Sequence, residues 1–113
     1  MGGSEYGKDV IYQFMDKFNF LCYGAVQVKA GNISGKANGL LSTIIEQIRL
    51  AFEMPYIDMI SQRRVFISQV VVICSGTYTN NAKEIISERL KNFRNVICLE
   101  GQDIVRMLVE NPK

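Results

Sequence analysis

The chain opens on two runs crowded with β-branched and aromatic residues and poor in helix formers. Val10 to about Met15 and Leu21 to Lys29 therefore read as strands. In the second, Leu21, Tyr23, Ala25, Gln27 and Lys29 share one face, and Cys22, Gly24, Val26 and Val28 share the other. Asp16-Lys17-Phe18-Asn19 supplies a turn between them. Pairing the strands as a hairpin about that turn sets Asp9 opposite the Gln27–Lys29 end. A carboxylate, an amide and an ammonium then converge at one end of a sheet.

Beyond Gly31, Asn32-Ile33-Ser34-Gly35-Lys36 is a loop by composition. The pattern then changes to helical spacing: Leu40, Leu41, Ile44, Ile45, Ile48, Ala51 and Phe52 predict a helix from about Asn38 to Glu53, stopped by Pro55. Gln47 falls at the edge of its apolar face, where an amide meets water. Tyr56 to Arg64 reads as irregular, with one short helical turn, and carries the adjacent pair Arg63-Arg64. Ile67 to Ser75 is a strand, and Val70-Val71-Val72-Ile73-Cys74 is apolar on both faces, as in a central parallel strand covered by helices on each side. Gly76-Thr77-Tyr78 turns the chain. Thr79 or a neighbouring asparagine caps a helix to about Phe93, with Ala82, Ile85, Ile86, Leu90 and Phe93 inward. Asn95 to Leu99 is a last short strand. After the turn Glu100-Gly101, Gln102 to Glu110 is a closing helix with Ile104, Val105, Leu108 and Val109 inside.

This order of elements predicts an α/β fold: a hairpin feeding two right-handed crossovers, with a mixed sheet between helices. At 113 residues the chain is a single domain, residues 1–113. Met1-Gly2-Gly3-Ser4 reads as an initiator segment or cloning scar, or a disordered terminus. A hydrophobic content of 48% and a charged content of 21% fit a globular domain and argue against disorder. No run reaches the length of a membrane span, and no secretory leader opens the sequence. The net charge of +2 neither requires nor forbids a nucleic-acid partner, since a local basic face is what matters.

Cys22, Cys74 and Cys98 sit in apolar, strand-like surroundings without paired spacing. They read as reduced core thiols of a cytoplasmic protein. The chain has no histidine, which excludes a Ser-His-Asp or Cys-His hydrolase within it and removes the commonest zinc ligand. Catalysis by this chain must rest on carboxylates, amides, lysine and a hard metal ion. The turn Gly76-Thr77-Tyr78 lacks the Lys-Ser/Thr ending of a phosphate-binding loop, and GxGxxG is absent.

The spacing Asp9 … Gln27-Val28-Lys29, on a hairpin followed by a helix, resembles the PD-(D/E)xK motif of the restriction endonuclease-like superfamily. It looks most like the Mrr-type branch, in which glutamine replaces the second acidic residue. Val70 to Ala82 is similar to that family's strand, turn and helix after the core, and Asn95 to Val105 to its last strand, Asp/Glu-Gly turn and helix. The resemblance runs from Glu5 onward. Two features depart from it: Lys8 stands where a proline precedes the aspartate, and the helix and strand that usually come before the aspartate have no counterpart here. The chain is accordingly expected to be part of a longer parent protein or a reduced member.

The resemblance implies a three-layer α/β/α restriction endonuclease-like core whose β-hairpin carries the site. It implies a Mg²⁺-dependent endodeoxyribonuclease acting on DNA. Asp9 would hold Mg²⁺, with the side-chain carbonyl of Gln27 and the backbone carbonyl of Val28 completing the edge. Lys29 would serve the attacking water or the phosphate. Glu5 is the residue placed to restore the charge that glutamine forgoes, and Gln47 resembles a helical glutamine that some members aim at their site. Lys36, Arg63 and Arg64 are candidate phosphate contacts. Because cutting two strands requires two sites, a homodimer is expected. Taken singly, Asp9 is also what ends an exposed strand, and Gln27 and Lys29 are what a solvated strand face carries. The competing readings are a nucleic-acid or protein interaction module that keeps the nuclease fold without cleaving, and an unrelated α/β domain.

Overall fold

In the computed structural model, residues 10–35, 40–93 and 95–110 are described. A four-stranded sheet is built from β1 (Val10–Met15), β2 (Leu21–Lys29), β5 (Gln69–Cys74) and β6 (Val96–Leu99), in the order β1-β2-β5-β6. β1 and β2 form the expected hairpin, with Val10 opposite Val26 and Met15 opposite Leu21. The Asp16 carboxylate closes the turn by accepting from the amides of Phe18 (2.8 Å) and Phe20 (2.9 Å), and Asn19 adopts φ 67° there. β5 lies parallel to both β2 and β6, so Val70 to Cys74 is an interior strand beside the Gln27 strand, as the pattern required.

Helix α1 (Leu40–Glu53) and helix α2 (Asn80–Arg89) are the two crossovers, and α3 (Gly101–Glu110) follows β6. Thr79 caps α2 through its hydroxyl, which accepts from the Ala82 amide at 3.1 Å. Leu41, Ile44, Ile45, Ile48 and Ala51 of α1 and Ala82 and Ile86 of α2 join Ala25, Val70, Val72 and Cys74 in one core. Those strand residues alternate along β2 and β5, so they define a single sheet face. The route β2, α1, β5, α2, β6 advances across the sheet in one direction. Two right-handed crossovers taken that way put both helices on the same side.

Three expectations need correction. Tyr56 to Arg64 is not irregular with a helical turn. It contains a small antiparallel hairpin, β3 (Tyr56–Ile57) with β4 (Arg64–Val65), whose turn uses Gln62 at φ 61°. β5 is not buried on both faces: Val71 and Ile73 are half-buried while Val70, Val72 and Cys74 are buried. The apolar stripe of α3 is not inside either. Val105, Leu108 and Val109 are exposed by 60%, 68% and 71%, and only Ile104 among the four is half-buried. Period and amphipathicity show where a helix places its apolar side, not whether an element exists to cover it. Of the cysteines, Cys74 is buried, and Cys22 and Cys98 are half-buried free thiols. Among the described residues no helix is long and apolar enough to cross a membrane.

Candidate active site

Alternation along β2 carries Ala25, Gln27 and Lys29 to the face covered by α1 and α2. Gln27 stands opposite Val72 of β5, and Lys29 opposite Cys74. Gln27 is the one polar residue buried among the described residues, at 1% exposure. Neither its amide nitrogen nor its amide oxygen has a hydrogen-bond partner among the described residues. Leaving such a group unpaired in a protein interior costs about 1–3 kcal/mol. A core position of this kind would be cheaper as leucine, so its amide calls for a reason outside packing.

Two residues further along the same face, the Lys29 ammonium donates to the side-chain oxygen of Gln47 at 2.6 Å. Gln47 sits on α1 one turn before Ala51, whose burial fixes the helix against the sheet. The edge position expected to meet water thus reaches the sheet and holds the lysine. No described carboxylate lies within ion-pair distance of Lys29.

The main chain at this end of β2 is pinned from several directions. The Ser75 amide donates to the Lys29 carbonyl at 3.1 Å, and the Gly76 amide to the Gly31 carbonyl at 3.0 Å. The Gly31 amide donates to the Ser75 hydroxyl at 2.7 Å, and the Thr77 amide to the Asn32 side chain at 2.9 Å. Gly31 takes φ 85°, a conformation that glycine adopts without penalty. Ile33 then bridges Tyr78 in parallel fashion, extending the β2–β5 ladder past the strands. The Tyr78 amide donates to the Glu100 carboxylate at 2.9 Å and its hydroxyl to the Val72 carbonyl at 2.8 Å.

Thiol chemistry is disfavoured here. Burial pushes the Cys74 and Cys98 thiols up, and burial pushes the Tyr78 phenol far above its ordinary range. A thiol held protonated is a poor nucleophile.

The structure therefore brings together three of the residues singled out in sequence: Gln27, Lys29 and Gln47. Val28 points to the opposite face, where its side chain is exposed. Arg63 and Arg64 lie on or beside the β3–β4 hairpin, away from this end of β2. Asp9, Glu5 and Lys36 lie outside the described residues. Within the described residues no group of three His, Cys, Asp or Glu side chains gathers as a metal cage. Sequence reasoning did not flag Ser75 and Asn32, which tie the site's loops together; their place in turns was the only signal they gave.

Together these features define a mixed α/β domain with a buried, unpaired amide beside a clamped lysine at the end of a parallel strand pair. No family model matches the chain, and no curated protein does.

Proposed function

We propose that this chain is a metal-dependent endonuclease domain of the restriction endonuclease-like kind, hydrolysing DNA phosphodiester bonds with Asp9, Gln27 and Lys29. The observation that carries this reading is the unpaired Gln27 amide, buried two residues from the Gln47-held ammonium of Lys29. A buried carbonyl oxygen without a donor suits a hard cation, which takes oxygen ligands. Asp9 precedes Val10, which pairs with Val26, the neighbour of Gln27. The buried Gln27 oxygen, and the sequence register that sets Asp9 across from Gln27, support Mg²⁺ as the cation. Asp9, the Gln27 side-chain oxygen and the Val28 carbonyl would hold it, with Glu5 an accessory candidate, and Gln47 would act on Lys29 rather than on the ion.

When bound, such an ion polarises a phosphoryl oxygen and lowers the pKa of a coordinated water. The protein's own part falls to Lys29. Its ammonium offers N–H donors to a phosphate oxygen or to the attacking water and offsets the negative charge that develops in the transition state. Gln47 fixes its direction. The pinned main chain of 29–33 and 75–79 holds the strand end still, so little ordering remains to be done when substrate binds. The same placement, at the C-terminal ends of parallel strands, is where open α/β sheets bind ligands.

The test is a supercoiled-plasmid nicking assay with Mg²⁺ or Mn²⁺, comparing the chain with Lys29→Ala and Asp9→Asn. Metal-dependent nicking that both substitutions abolish supports the proposal. Nicking that survives both substitutions overturns it. DNA binding with no nicking under any metal moves the assignment to an interaction module that keeps the fold.

A further inference from the structure

At the other end of β2 from Lys29, the β3–β4 hairpin folds against the sheet and leaves an open groove of ≈ 400 Å³. Small-molecule sites run to about 300–1,000 Å³, so it has the volume of a ligand subsite. Tyr23 and Phe66 are among its lining residues, with Arg63, Ser61 and Ser68 as the polar ones. Among the described residues no acidic side chain lines it. No described carboxylate lies within ion-pair distance of Arg63. The Asp58 carboxylate nearby is engaged by the Tyr23 hydroxyl at 3.0 Å and the Ile60 amide at 3.1 Å, which hold it to the hairpin. Phe66 is 58% exposed although it is a large apolar ring.

Two aromatic residues with a guanidinium that has no ion-pair partner among the described residues match a planar, negatively charged partner. An acidic peptide would use the arginine but not the rings, and an apolar peptide the rings but not the arginine. We infer that this groove binds a single-stranded nucleic-acid segment, with a base stacked against Phe66 and a phosphate held by Arg63. The inference rests on the nucleic-acid reading above and extends it to a contact remote from the candidate catalytic residues. From Tyr23 to Lys29 the strand rises roughly 20 Å, so binding here and chemistry there can be measured separately.

The experiment is fluorescence anisotropy of the chain with a short fluorescein-labelled oligothymidylate in EDTA, where metal-dependent cleavage cannot occur. Phe66→Ala is expected to weaken binding about 5-fold or more, because one stacked base contributes at least about 1 kcal/mol. Arg63→Gln is expected to weaken binding and reduce its salt dependence. Phe66→Tyr, which keeps the ring, should retain the affinity. Both side chains are exposed, and a circular dichroism melt of each variant checks that the fold is kept. Absent binding, binding indifferent to both substitutions, or equal competition by a glutamate-rich peptide each overturns the inference. The plasmid assay separates it from the catalytic proposal. Lys29-dependent nicking with an indifferent groove removes the groove alone, and groove-dependent binding without nicking removes the nuclease alone.

Discussion

Lys29 and Gln47 meet across the space between β2 and α1, the ammonium donating to the amide oxygen at 2.6 Å. A hydrogen bond to a charged group contributes about 1.5–3 kcal/mol. If that energy serves to aim Lys29, Gln47→Leu should reduce nicking about ten-fold or more. Gln47→Glu, which keeps an acceptor, should lose less. Metal affinity, measured by Mn²⁺ titration calorimetry, should not move in Gln47→Leu, because the residue acts through lysine. A parallel fall in metal affinity would show that Gln47 is a ligand and not a positioning residue.

Gln27 sets function against stability. An apolar side chain of similar size removes the unpaired amide, so Gln27→Leu should raise stability by about 1 kcal/mol. In a domain of this size that is a rise of roughly 4–8 °C in Tm. The same change should weaken Mn²⁺ binding and abolish nicking. Gln27→Glu should bind metal more tightly and keep or raise cleavage, since a carboxylate is the better ligand. Differential scanning calorimetry and the nicking assay on one set of preparations read all three effects. A Gln27→Leu protein that melts lower would mean that the amide has a structural partner.

Tyr12 lies across β2 at Gly24, and its hydroxyl hydrogen-bonds the side-chain oxygen of Gln69 on β5. A Cβ at position 24 would run into the Tyr12 ring. Gly24→Ala should therefore destabilise the domain by about 1–3 kcal/mol, the cost of overpacking. Tyr12→Ala should suppress much of that penalty, because the two sites share one contact. Urea unfolding of the two single variants and the double variant measures the coupling. Additive losses would remove the contact from the account.

Alkaline pH should weaken the fold. Cys74, Cys98 and Tyr78 all have folded pKa values raised above those of the unfolded chain, burial being the first cause in each. Above the unfolded values, about 8.5 for cysteine and 10 for tyrosine, the unfolded chain loses protons that the native state keeps. Stability is therefore full below that range and falls as pH rises through it. Urea midpoints at pH 7.5, 9 and 10 should decline in that order. Tyr78→Phe should flatten the upper part of the slope while forfeiting the bond to the Val72 carbonyl. A flat profile would mean that these groups titrate alike in both states.

Much of the sheet was legible because strand residues declare themselves locally. Val70 to Cys74 is too apolar for an edge, and the crossover lengths force it parallel to the Gln27 strand. Helix α1 was legible for a similar reason, having five buried positions at helical spacing. The β3–β4 hairpin was not, because two-residue strands leave no period to detect. Exposure of α3 depends on which layer lies above it, a tertiary fact that its own sequence does not encode. At the site, the strand alternation placed Gln27 with Lys29 correctly. The Lys29–Gln47 bond was beyond reach, since a boundary glutamine is identical in sequence whether its amide faces water or a neighbouring strand.

The stitching between residues 29–33 and 75–79 bears on how this end of the sheet loses order. Its amides answer to carbonyls and side chains on the neighbouring segment, and Tyr78 anchors that segment to Val72 in the core and to Glu100 ahead of α3. Regions that open independently have few buried contacts and solvated hydrogen bonds, and this one has the opposite character. Ile33, Gly76 and Thr79 should accordingly exchange their amide protons only through the same global opening as Val72. Warming the protein would then leave Lys29 in place until the whole sheet gives way, so that inactivation and melting arrive as a single event.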